Sequence, residues 1–211
     1  PHASIRVAAM GWAARAATDI EIRRMEQMTR DWCEAGARAF ATGLEYEPTR
    51  HADLNELVRL SLAVKEYGGL YVAHQRGYGK NVAIGCEETF AIAGLAGVPV
   101  HISHLTLDDE AERLIDAAAD KGVDVSFDMY PYPAGCTSLL FMLPADIQAG
   151  SIAEVRNRLA DRAVRARIRS FLDENHDVSY VRFAALGIPG TGWEGKSIAE
   201  VREETGRPLE D

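Results

Sequence analysis

The chain has 211 residues, enough for a domain with a sizeable buried core. A hydrophobic fraction of 47% and a charged fraction of 26% exclude a disordered tail, a collagen-like repeat and a coiled coil. The formal charge of -9 opposes nucleic acid and anionic lipid as partners, and no apolar run reaches the roughly 20 residues of a membrane helix. The cysteines (Cys33, Cys86 and Cys136) are widely spaced and odd in number, which reads as reduced core thiols. With no signal-peptide pattern at the start, a cytoplasmic location is expected.

Residues 4–9 form a first strand candidate. T-D-I-E at 18–21 has the capping-box pattern and opens a helix over about 18–35 that closes at Gly36; a strand at 37–42 follows. Leu54, Leu57, Leu60 and Val64 recur at helical spacing over about 53–66, before Gly68 and Gly69 and a strand at 70–74. A helix over about 81–95 ends at Gly97 and leads into a strand at 99–104. The acidic start Asp108-Asp109-Glu110 suits the N-terminus of a helix over about 108–120, closed by Gly122 before a strand at 123–129. Beyond 130 the rhythm breaks. Y-P-Y-P-A-G at 130–135 marks a loop, helices are expected over about 151–159, 161–174 and 197–205, and a sixth strand candidate lies at 178–186.

A glycine after each of the first four helices suits the left-handed cap, and successive strand starts lie one βα unit apart, which implies parallel strands with helical crossovers. Two architectures fit: a doubly wound sheet, or a partial (β/α)8 (TIM-type) barrel, whose complete form takes about 250 residues. The loop Gly77-Tyr78-Gly79-Lys80 has neither phosphate-binding glycine spacing, which leaves nucleotide binding a weak reading. One domain over 1–211 is expected, because no long linker divides the chain.

His74 and His104 end consecutive strands, at the C-terminal tips where α/β barrels carry their active sites. Neighbouring strands lie about 4.8 Å apart, so the two imidazoles can share a metal ion; the competing reading is two hydrogen-bonded histidines in a polar loop mouth. Strand alternation sends His101 and His104 to opposite faces, which points His101 at a covering helix, while His2, His51 and His176 default to solvent. Asp128 is a weak candidate for metal or base chemistry against the reading of a cap on the turn that follows. Tyr46 and Arg76 share the rim, where a phenol can polarise a carbonyl and a guanidinium can hold a carboxylate.

G-A-R-A-F-A-T-G-L-E-Y-E-P at 36–48, G-G-L-Y-V-A-H-Q-R at 68–76, G-V-P-V-H-I-S-H-L at 97–105 and D-M-Y-P-Y-P-A-G-C-T-S-L-L at 128–140 are collinear blocks. Together with P-H-A-S-I-R at 1–6 they resemble the D-aminoacylase (N-acyl-D-amino-acid deacylase) branch of the amidohydrolase superfamily. The resemblance implies a zinc-dependent (β/α)8 hydrolase that cleaves N-acyl-D-amino acids. It places the metal at His74 and His104 and the substrate at Tyr46, with Arg76 and Tyr132 as further substrate-orienting residues.

The family's His-x-His pair, bridging cysteine and catalytic aspartate have no counterpart in the sequence, and Thr106 stands where a lysine is usual. The chain therefore reads as the central portion of an enzyme roughly twice its length, with little activity by itself and a tendency to homo-oligomerise through open strand edges. The alternative is a non-catalytic α/β binding or assembly module that keeps the fold.

Overall fold

The computed structural model describes residues 1–187 and 191–209. The chain divides into two compact units, Pro1–Gly135 and Cys136–Asp211, and the boundary falls at the end of the Pro/Gly loop that breaks the helix–strand rhythm.

The first unit alternates helix and strand: α1 (His2–Met10), α2 (Asp19–Glu34), β1 (Ala39–Gly43), α3 (Leu54–Lys65), β2 (Leu70–His74), α4 (Val82–Ala96), β3 (Val100–Ile102), α5 (Asp109–Ala119) and β4 (Val125–Phe127). The strands form one parallel sheet in the order β1-β2-β3-β4. Local chemistry sets the boundaries. Thr18 and Glu21 close a complete capping box on α2, the side chains of Asp53 and Asp108 cap α3 and α5, and Gly97 ends α4 in the left-handed conformation.

Alternation along the strands sorts the two faces. Phe40, Tyr71, Ala73, Val100 and Ile102 are buried, and Phe40 and Tyr71 pack with Leu57, Leu60 and Ile92 from the helices. The row Ala41–Val72–His101–Ser126, in register across the sheet, occupies the other face and is less buried.

Residues 4–9 are helical rather than a strand. His2, Ile5 and Arg6 fall on one face of α1 and are buried; the imidazole of His2 contacts Glu56 on α3 at 2.6 Å, and the Arg6 guanidinium donates to the second oxygen of Glu56. His2 is thus a buried anchor rather than a solvated end. His51 pairs with Glu47 at 3.0 Å, and His176 packs against the ring of Phe171. Cys33 and Cys86 fill the core, but Cys136 is exposed.

The second unit carries α6 (Ala145–Gln148), α7 (Ile152–Leu159), α8 (Arg162–Asn175) and α9 (Ile198–Thr205) around Ile147, Ile168 and Leu172. The strand expected at 178–186 contributes only an isolated antiparallel bridge, Arg182 to Ser197. Among the described residues no helix is long and apolar enough to cross a membrane.

Candidate metal centre at the strand tips

His74 is the last residue of β2. Its side chain alternates with those of the buried Tyr71 and Ala73, so it rises on the face away from the helices. His104 arrives differently: β3 stops at Ile102, and His104 has φ 42°, a left-handed conformation uncommon outside glycine. That turn brings His104 Nε2 to 2.8 Å from His74 Nδ1.

The same turn explains why His101 is misread from sequence. Strand alternation does not extend to His104, and His101 does not face a helix. It lies on the opposite face, with Nδ1 2.9 Å from Ser126 Oγ and Nε2 2.9 Å from Asp128 Oδ2. Asp128 in turn accepts the backbone N–H of His104 at 2.6 Å, so its carboxylate pins the strained residue. The hydrogen bond from His101, then that from the His104 amide, hold the Asp128 carboxyl below its ordinary range.

Aromatic rings enclose the pair. Tyr46 packs on His74 at 4.8 Å between centroids, and Tyr78 lies 5.2 Å from His74 and 5.0 Å from His104. Tyr78 also straps the two tips together, its hydroxyl donating to the Ser103 carbonyl and accepting the Gln75 amide, both at 3.0 Å. Tyr130 stacks on His104 with an interplanar angle of 7°. Burial, then the neighbouring His74, pushes the His104 imidazole below its ordinary pKa.

The other two expected substrate residues are Arg76 and Tyr132. The guanidinium of Arg76 binds Glu88 at 3.1 Å and the carbonyls of Arg50 and Ala52, bracing the β1–α3 loop. Tyr132 is 71% exposed, and Tyr130 is the ring stacked on His104. Glu45 is the residue that sequence reasoning missed: its carboxylate lies 3.1 Å from His74 Nε2. Its one sequence signal is adjacency to Tyr46 in the L-E-Y segment.

The donor set fits a metal ion. Two nitrogens bound to one tetrahedral zinc at about 2.05 Å lie roughly 3.3 Å apart, so a 2.8 Å pair needs to open by only about half an ångström. Among the described residues no group of three or more His, Cys, Asp and Glu is arranged around one point, and the two imidazoles are the candidate donors there.

Four parallel strands with helical crossovers, and histidines meeting at consecutive strand tips, define an α/β protein, and its similarity to known proteins relates it to the amidohydrolases. The particular relationship is to D-aminoacylases, of which the chain is a homologue. It is 36% identical over 146 residues to D-aminoacylase from Alcaligenes xylosoxydans xylosoxydans, covering 65% of this chain and 30% of that protein. A D-aminoacylase crystal structure, described as defining a novel subset of amidohydrolases, matches 64% of this chain and 30% of its own, with 36% identity and a TM-score of 0.60. N-acyl-D-glutamate deacylase from Bordetella bronchiseptica, solved with zinc and a phosphonate mimic of the tetrahedral intermediate, matches 99% of this chain and 39% of its own, with 26% identity and a TM-score of 0.76. The chain spans about 30% of the length of the curated relatives it matches. No family model matches the sequence.

Proposed function

We propose that this chain supplies the two-histidine part of the metal site in an amidohydrolase that deacylates N-acyl-D-amino acids. One observation carries the reading: His74 Nδ1 and His104 Nε2 converge to 2.8 Å from adjacent strand tips. Homology to a D-aminoacylase and structural likeness to a zinc-bound deacylase support it. When bound there, zinc supplies Lewis acidity toward the amide carbonyl and brings the pKa of a bound water toward ~7.

In this reading His74 and His104 hold the ion. Asp128 keeps His104 turned inward through its backbone amide, and Tyr130 and Tyr78 pack against the His104 ring. Tyr46, packed on His74, orients the scissile carbonyl with its hydroxyl. The sheet is an arc of a (β/α)8 barrel, and the partly exposed row Ala41–Val72–His101–Ser126 lies on the barrel's inner face. The outer edges of β1 and β4 pair with further strands, or with a second copy. Cys33 and Cys86 are free thiols, which suits a reducing, cytoplasmic location.

A site with two candidate donors among the described residues favours one alternative, a non-catalytic module of the same fold. Hydrolysis of N-acyl-D-amino acids and their L-enantiomers by the complete open reading frame, with and without zinc, separates the two. The enzyme reading expects D-selective, zinc-dependent release of the free amino acid that His74→Ala abolishes. Zinc binding without any hydrolysis would establish the module instead.

A further inference from the structure

We infer that Glu45 is a positioning residue: it fixes His74 in the Nε2–H tautomer and so directs the Nδ1 lone pair at the space facing His104. The functional meaning rests on the metal reading above, but the tautomer itself does not.

The two histidines alone leave the proton ambiguous. His74 Nδ1 and His104 Nε2 are 2.8 Å apart, and either nitrogen can donate to the other. Glu45 removes the ambiguity. A carboxylate offers only acceptors, so the 3.1 Å contact between Glu45 Oε2 and His74 Nε2 requires the hydrogen on Nε2. His74 Nδ1 then carries a lone pair, and His104 donates to it when no metal is present. A metal ligand needs that lone pair.

The loop is built to hold this carboxylate in place. The Leu44 amide donates to the His74 carbonyl at 3.0 Å, which ties the start of the loop to the tip of β2, and the Leu44 side chain is buried. The Tyr46 amide returns to the Gly43 carbonyl at 3.1 Å, and the Thr49 hydroxyl bonds the carbonyls of Gly43 and Tyr46. Glu45 therefore sits between two anchored residues. Among the described residues the Glu45 carboxylate pairs with His74.

The test is long-range 1H–15N correlation of the imidazoles in the metal-free, 15N-labelled 211-residue chain, with His74 assigned from the His74→Ala spectrum. Wild type should show His74 wholly as the Nε2–H tautomer. Glu45→Leu should redistribute it between both forms, and Glu45→Gln, whose amide oxygen still accepts, should restore the wild-type pattern. Glu45→Asp, which withdraws the acceptor by one methylene, gives a milder second perturbation should the leucine variant fail to fold. Zinc titration followed on the same signals should be weakened about 10–100-fold by Glu45→Leu and largely recovered in Glu45→Gln. An Nδ1–H tautomer in wild type, or an unchanged tautomer in folded Glu45→Leu and Glu45→Asp chains, overturns the assignment. Zinc that perturbs neither histidine of the wild type overturns the metal reading instead, whatever the tautomer.

Discussion

Glu56→Gln is the sharpest perturbation of the scaffold beneath the site. Both oxygens of Glu56 are occupied, one by His2 at 2.6 Å and the other by Arg6, and all three side chains are fully buried. The amide is isosteric, so packing is retained, but its NH2 group must face one of the two donors and the Arg6 charge loses its counter-ion. Breaking a buried pair from one side costs about 3–5 kcal/mol, a large part of the ~5–15 kcal/mol that holds a domain together. A fall in Tm of roughly 10 °C follows. Urea unfolding followed by circular dichroism measures the loss, and the double variant R6M/E56L, with no buried charge left, should regain part of it, the remainder being the buried His2 imidazole left without its acceptor.

The same cluster sets an acid limit. Burial pushes the His2 imidazole below its ordinary pKa, and its Nδ1 has no hydrogen-bond partner among the described residues, which suits the neutral ring. Burial alone would raise Glu56, but the hydrogen bonds from His2 and Arg6 outweigh it and hold the carboxyl below the usual range. At both sites the unfolded chain binds more protons once the pH falls below the ordinary value, so stability declines with acid, first near ~6.5 for His2 and then below ~4.3 for Glu56. A loss under about 1 kcal/mol in Glu56→Gln, or stability that rises on acidification from pH 7 to 5, would refute this reasoning.

Three further outcomes concern the site. Asp128→Ala removes the acceptor of the His104 amide, and is expected to broaden the His104 resonances and weaken zinc binding by about tenfold or more, in the manner of a lost metal-supporting contact, with little change in urea midpoint because Asp128 is largely exposed. Gly85→Ala on α4 places a Cβ 2.6 Å from Gln75 Cδ and 2.7 Å from the Gly77 carbonyl, so the loop after His74 must shift, at about 1–3 kcal/mol by urea unfolding. Tyr130→Ala should move the His104 imidazole signals while Tyr132→Ala leaves them in place, since only Tyr130 stacks on that ring.

The helices were legible because their ends are written in side-chain chemistry: the capping box at Thr18, the caps at Asp53 and Asp108, and the glycines that close them. His74 was legible as the end of a regular strand. His101 was not, because two-residue alternation fails at the left-handed His104, and a positive φ at a histidine leaves no mark in the sequence. The first helix was missed because its apolar residues satisfy a strand pattern as well. What decides the matter is the fit of His2 and Arg6 to Glu56, a partner far along the chain. Glu45 and Tyr130 gain their meaning in the same way, from contacts between tips of different strands.

Anomalous diffraction from crystals of the chain grown with zinc, measured on both sides of the zinc absorption edge, tests the central claim most directly. A peak within about 2.0–2.1 Å of both His74 Nδ1 and His104 Nε2, absent in His74→Ala, is the predicted result. Zinc bound elsewhere, with the two imidazoles still hydrogen-bonded to each other, would contradict it.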